Sequence, residues 1–153
     1  DLLNAANKYY DIVFVDLSKT LQRDTTRAIL EASNIIMYAM PQNMKLIEEY
    51  MSAARSQNIL QKGNVMPLLT NSDEASKYNV NNVTKYIGEK KKICYIPNNF
   101  AFMEAASEAG MANFFLKTRL SSSNSDPNSL FVKAVDETCE KIIAKLQELQ
   151  LKV

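Results

Sequence analysis

The sequence contains no histidine and no tryptophan, and only 3 glycines and 2 cysteines in 153 residues. The missing histidine excludes an imidazole general base, a His-based triad and a His metal site. Average usage of ~7% would give about ten glycines. Glycines at 63, 88 and 110 alone cannot build a glycine-rich phosphate loop or a GxGxxG turn within this chain. Cys94 and Cys139 form no CxxC pair, and both read as small buried hydrophobes in a reducing compartment. Charge of one sign is missing too: 18 Lys+Arg against 17 Asp+Glu leave a net +1. No global field therefore draws the chain to nucleic acid or anionic lipid. No apolar run approaches the ~18 residues of a membrane span. What is present, 46% apolar and 23% charged residues, is ordinary for a globular domain with a core.

Along the chain, apolar runs alternate with helical patterns. Residues 1–8 read as the tail of a helix, beginning at Asp1 without an initiator Met, which suggests a piece of something longer. Residues 10–16 (YDIVFVD) hold the β-branched run 12–15, which predicts a strand buried on both faces. Asp24 is the expected N-cap of a helix over 25–32. Residues 34–40 form a second strand ended by Pro41, and Asn43 caps a helix 44–58 with Met44, Ile47, Met51 and Ala54 on one face. Strand 65–69 precedes a polar loop, Thr70-Asn71-Ser72-Asp73; a helix 81–87 stops at Gly88. Strand 93–96 ends at Pro97, and Asn98 or Asn99 caps a helix 100–109. A serine loop, 121–125, leads to Asp126-Pro127 and a last helix to about Gln150, with Phe131, Val135, Cys139, Ile142, Ile143, Leu146 and Leu149 on its apolar side. This order predicts an α/β fold, a three-layer αβα sandwich around a mostly parallel sheet, with a ligand beyond the carboxyl ends of the strands.

The first apolar run closes on Asp16, the form of a Walker B element, whose carboxylate holds a Mg²⁺-bound water; a helix-capping or strand-end acid has the same form. The ordered set YDIVFVDLS, EASNIIMYAMPQNMKLIEEY, VMPLLTNSD and VTKYIGEKKKICYIPNNFAFMEAASEAGMANFF resembles the C-terminal part of a MinD/ParA-type ATPase over almost the whole chain. The Asp-Leu pair at 16–17 is most similar to the CpaE/TadZ pilus-assembly branch. The resemblance implies that residues 1–153 are the C-terminal part of a single P-loop NTPase-like domain whose P-loop part lies outside this chain. It implies ATP and Mg²⁺ as cofactors. Asp16 would be the Walker B acid, reaching Mg²⁺ through water. Asn71 would read the adenine edge, with Pro97, Asn98 and Asn99 lining the other side of the base through backbone. Pro41 would lie near the phosphate end or a dimer face. It further implies a homodimer formed across the nucleotide face, pilus or polar machinery as partners, and a cytoplasmic protein recruited to the cell pole or inner membrane face.

The sequence departs from the family pattern at Ser18, where a proline is usual, and at Asn99, where an acid is usual. Without the P-loop and its lysines, this chain alone is not expected to hydrolyse ATP. Lys19 and Arg23 read as solvated surface charge ahead of a phosphate or dimer contact, the run Lys90-Lys91-Lys92 as a solvated turn ahead of a DNA or lipid patch, and no DNA contact is expected. The alternative function is a non-catalytic α/β scaffold or pseudo-receiver interaction domain. The missing P-loop strand predicts that the run 12–15 lacks ladder partners within this chain.

Overall fold

The computed structural model describes residues 2–17, 21, 23–88, 93–121 and 125–150. The readings that fall on Ser18, Lys19, the triple lysine at 90–92, most of the serine loop and residues 151–153 lie outside them. The chain divides into two compact units, Asp1–Ser33 and Asn34–Val153.

The first unit holds two helices, α1 (Leu2–Tyr9) and α2 (Asp24–Ala32). Thr26 and Leu30, four residues apart, are the buried positions of α2. Asp24 is not the N-cap. Arg23 takes that place in extended conformation, and Asp24 stands in the first turn, where a carboxylate meets the positive end of the helix dipole. The expected strand 12–15 is absent: residues 12–17 carry no regular structure, and Phe14 is 86% exposed. A strand buried on both faces needs a ladder on both sides, and no ladder partner for this run exists among the described residues.

The second unit is α/β. Strands β1 (Ile36–Pro41), β2 (Val65–Ser72) and β3 (Cys94–Pro97) form a parallel three-stranded sheet in the order β1-β2-β3. Helix α3 (Met44–Ser56) and a 3-10 turn (Asn58–Gln61) connect β1 to β2; α4 (Val80–Ile87) connects β2 to β3. Then follow α5 (Phe100–Ser107), α6 (Met111–Leu120) and α7 (Pro127–Gln150). Alternating strands and helices force the parallel sheet, because a parallel pair needs a crossover. The register sets Met40 against Leu69 and Leu69 against Tyr95, so these side chains share one face. On that face Met40, Ile47, Tyr50, Leu69, Val83 and Ile93 form the core. Helix α3 packs on β1 and α7 on β3, an arrangement compatible with a three-layer sandwich.

The caps follow the sequence where local chemistry decides. Asn43 Oδ1 accepts from Lys45 N at 3.0 Å, and Gly88 ends α4 at φ 110, a conformation costly for any residue with a Cβ. Asp126 Oδ2 accepts from the Asn128 and Ser129 amides at the start of α7.

One helix is unanticipated, and two further expectations need correction. Helix α6 has no counterpart in the sequence reading, because apolar residues lie on opposite sides of it and blur the 3.6-residue period. Cys139 is exposed, while Cys94 is buried. The covered side of α7 runs through Phe131, Ala134 and Thr138, and one further residue turns Cys139 about 100° away from it. Ile143 is exposed for the same reason.

Candidate functional site

The carboxyl ends of the three strands meet at one edge of the second unit. Pro41 is paired with Thr70, and Ser72 with Pro97, so β1, β2 and β3 end nearly level. Immediately beyond, the Asn98 amide donates to the Ser72 carbonyl at 3.1 Å, extending the β2–β3 ladder by one bond. Pro41 cannot donate to a ladder, and its carbonyl accepts from Asn43 N at 2.7 Å, turning the chain into α3.

Asn71 is the conformational outlier of this edge. Its φ is 50°, within a register irregularity between Leu69 and Ser72. Strand β2 therefore runs three residues past its expected end at Leu69, through a bulge. Asparagine is among the few residues with a Cβ that accept the left-handed region, and a bulge re-aims a side chain away from the pleat. The result is an exposed carboxamide at the rim of the central strand.

Gln42 fixes the floor beside it. Its Nε2 donates to the Asp73 carbonyl at 2.9 Å and to the Tyr78 carbonyl at 3.2 Å, while its Oε1 accepts from Asp73 N at 2.8 Å. One side chain thus ties the β1–α3 turn to the β2–α4 loop. Sequence reasoning missed Gln42: its partners lie 31 and 36 residues away, and no local pattern marks it. Asp73 Oδ1 closes the same loop by accepting from Ala75 N.

Asn99 is committed to structure. It is 7% exposed. Its Oδ1 accepts from Phe102 N at 2.7 Å, capping α5. Its Nδ2 donates to Asn128 Oδ1 at 2.9 Å and to the Pro127 carbonyl at 3.3 Å, at the start of α7. Both amide hydrogens are engaged, so the side chain joins two helix starts and leaves only backbone for a ligand. The structure thus gathers Pro41, Asn71, Pro97, Asn98 and Asn99 at one edge. Asp16 belongs to the first unit; it is exposed, and among the described residues no group of three or more Cys, Asp or Glu side chains could hold a metal ion.

Beneath the edge, burial sets the proton affinities. It raises the Tyr38 and Tyr50 phenols above their ordinary values; Glu49 adds to the effect at Tyr38, and Tyr38 itself adds to it at Tyr50, the two rings being 4.8 Å apart. Tyr95 is raised by burial and then by Glu137 and Glu74. Burial also pushes the Cys94 thiol up, against a smaller downward pull from Lys141, so it stays protonated at neutral pH and is no nucleophile.

An open groove of about 450 Å³ lies elsewhere, lined by Glu48, Met51, Ser52, Arg55, Ser56 and Tyr86. These residues occupy the later turns of α3 and α4, which run back toward the amino ends of the strands. Ligands of parallel sheets sit at the other end. Comparison with protein-family models, with curated proteins and with solved structures gives no match.

Proposed function

We propose that the carboxyl edge of this sheet is the base-binding side of an adenine nucleotide site, in a MinD/ParA-like positioning or assembly factor of the CpaE/TadZ kind. The observation that carries the reading is Asn71: an exposed carboxamide held in the left-handed region at the rim of the central strand. One carboxamide presents one donor group and one acceptor, the complement of the adenine N6/N7 edge. Pro97 and Asn98 face the same rim from β3, and Gln42 holds the floor still, which lowers the ordering cost of binding. These residues fit a base. The resemblance assigns the grip on its phosphates and Mg²⁺ to other residues, Asp16 among them. The phosphate-gripping half, the partnered dimer and the recruitment to pilus or polar machinery belong to the longer parent that the sequence resemblance implies.

The test is equilibrium binding of fluorescent ATP and ADP to the parent protein. Asn71→Gly keeps the left-handed backbone and removes the carboxamide; it should weaken binding about tenfold, the worth of one paired hydrogen-bonding group. Unchanged affinity would assign Asn71 to the bulge alone. No binding of either nucleotide would leave the scaffold reading in its place.

A further inference from the structure

Helices α5 and α6 form a hairpin with an aromatic interior and an apolar exterior. Inside, Phe102 of α5 lies 5.6 Å from Phe114 and 5.9 Å from Phe115 of α6, and stacks on Phe131 of α7 at 4.6 Å between centroids. Outside, Phe100 and Met103 stand at i and i+3 on α5, and Ala112, Leu116 and Leu120 at i, i+4 and i+8 on α6. Phe100 is 74% exposed and Leu120 87%. No residue of α5 is buried, although a helix this apolar all round is ordinarily covered. The charges beside this exterior are of opposite sign on the two helices: Glu104 and Glu108 on α5, Lys117 and Arg119 on α6, all exposed. Arg119 pairs with Asp136 of α7, whereas Lys117, Glu104 and Glu108 have no ion-pair partner among the described residues.

We propose that the outer face of the α5–α6 hairpin is a self-association surface, on which α5 of one copy packs against α6 of a second copy. A two-fold contact presents the same patch from both sides, so each copy must carry both halves of every complementary pair. This hairpin does: an acidic helix and a basic helix, each with its own apolar row. Leu116 and Leu120 supply the apolar centre, and Glu104 and Glu108 meet Lys117 of the other copy twice over. The inference is independent of nucleotide binding.

Sedimentation velocity across a dilution series tests it, with circular dichroism confirming that each variant is folded. The wild-type chain should show a concentration-dependent dimer. Leu120→Asp should raise the dissociation constant about a hundredfold, as for an apolar anchor at an interface centre. Lys117→Glu should raise it about tenfold, because an exposed pair worth up to ~1 kcal/mol is lost twice. The decisive arm mixes two variants. Lys117→Glu and the double substitution Glu104→Lys, Glu108→Lys should each self-associate poorly, and their equimolar mixture should form the heterodimer in preference to either homodimer. A wild-type chain that stays monomeric throughout overturns the proposal. So does a dimer that these substitutions leave intact, or a mixture that shows no such preference.

Discussion

Two short apolar runs in this chain, residues 12–15 and residues 65–69, have opposite fates. Both are short, β-branched or leucine-rich, and free of charge. The second is the central strand β2, with β1 and β3 bonded on either side and Leu69 fully buried. The first carries no ladder, and Ile12 is 66% exposed. Composition makes a strand possible; neighbours make it real. The comparison also separates the two units. Asn34–Val153 contains the sheet and the hydrophobic core, while Asp1–Ser33 contains helices and an exposed apolar segment without regular structure.

The largest effect that tests this contrast comes from truncation. Leu69→Ala removes a side chain that is 0% exposed in the core and should cost about 3 kcal/mol. Phe14→Ser, in the exposed run, should change stability by less than ~0.5 kcal/mol. Urea denaturation of the 153-residue chain, followed by circular dichroism, measures both. A cost at Phe14 comparable to that at Leu69 would mean the run is covered in solution.

The same contrast explains what was legible in the sequence. Strands β1, β2 and β3 were readable because each is an apolar run whose neighbours are also in this chain. Caps were readable where one residue suffices, as at Asn43, Asn99 and Asp126, whose side chains reach their own helix starts. The run 12–15 gave the same signal as β2, because a sequence pattern records what a strand needs and not whether it is supplied. The level strand ends that gather Pro41, Asn71 and Pro97 follow from the strand order, so the candidate edge was legible too. The bulge that places Asn71 was not, nor was the Gln42 tie, which depends on which loops fold back on one another. Cys139 was misplaced by one step around a helix, an error that periodicity alone cannot avoid when apolar residues flank the buried side.

A middle-sized effect tests the assignment of Asn99 to structure. Asn99→Ala removes the α5 cap and leaves the Asn128 carboxamide without its partner, and should cost about 2 kcal/mol. Asn99→Asp keeps an acceptor for the Phe102 amide but turns a buried carboxylate oxygen toward the Pro127 carbonyl and Asn128 Oδ1, so its cost should be comparable. If both substitutions leave urea midpoints unchanged, Asn99 does not join the two helices, and its amide is free for a ligand.

The smallest effect runs the other way, toward stability. The α5–α6 junction is a complete Schellman motif: the Gly110 amide donates to the Ala105 carbonyl at 2.7 Å and the Ala109 amide to the Ala106 carbonyl at 3.4 Å. The left-handed position of that motif ordinarily holds glycine. Here it holds Ala109 at φ 54, and the glycine comes one residue later. Asn71, the other non-glycine residue with positive φ among those described, tolerates the region through its own side chain; alanine has no such means. Ala109→Gly should therefore raise the unfolding free energy by about 0.5–1 kcal/mol, the relieved strain exceeding the extra backbone entropy glycine loses on folding. The matching substitution at the other helix end, Gly88→Ala at φ 110, should lower it by at least as much, since nothing lies within 4 Å of the added methyl and the whole cost is backbone. A destabilising Ala109→Gly would show that the junction is held in this conformation by something other than the motif's two hydrogen bonds.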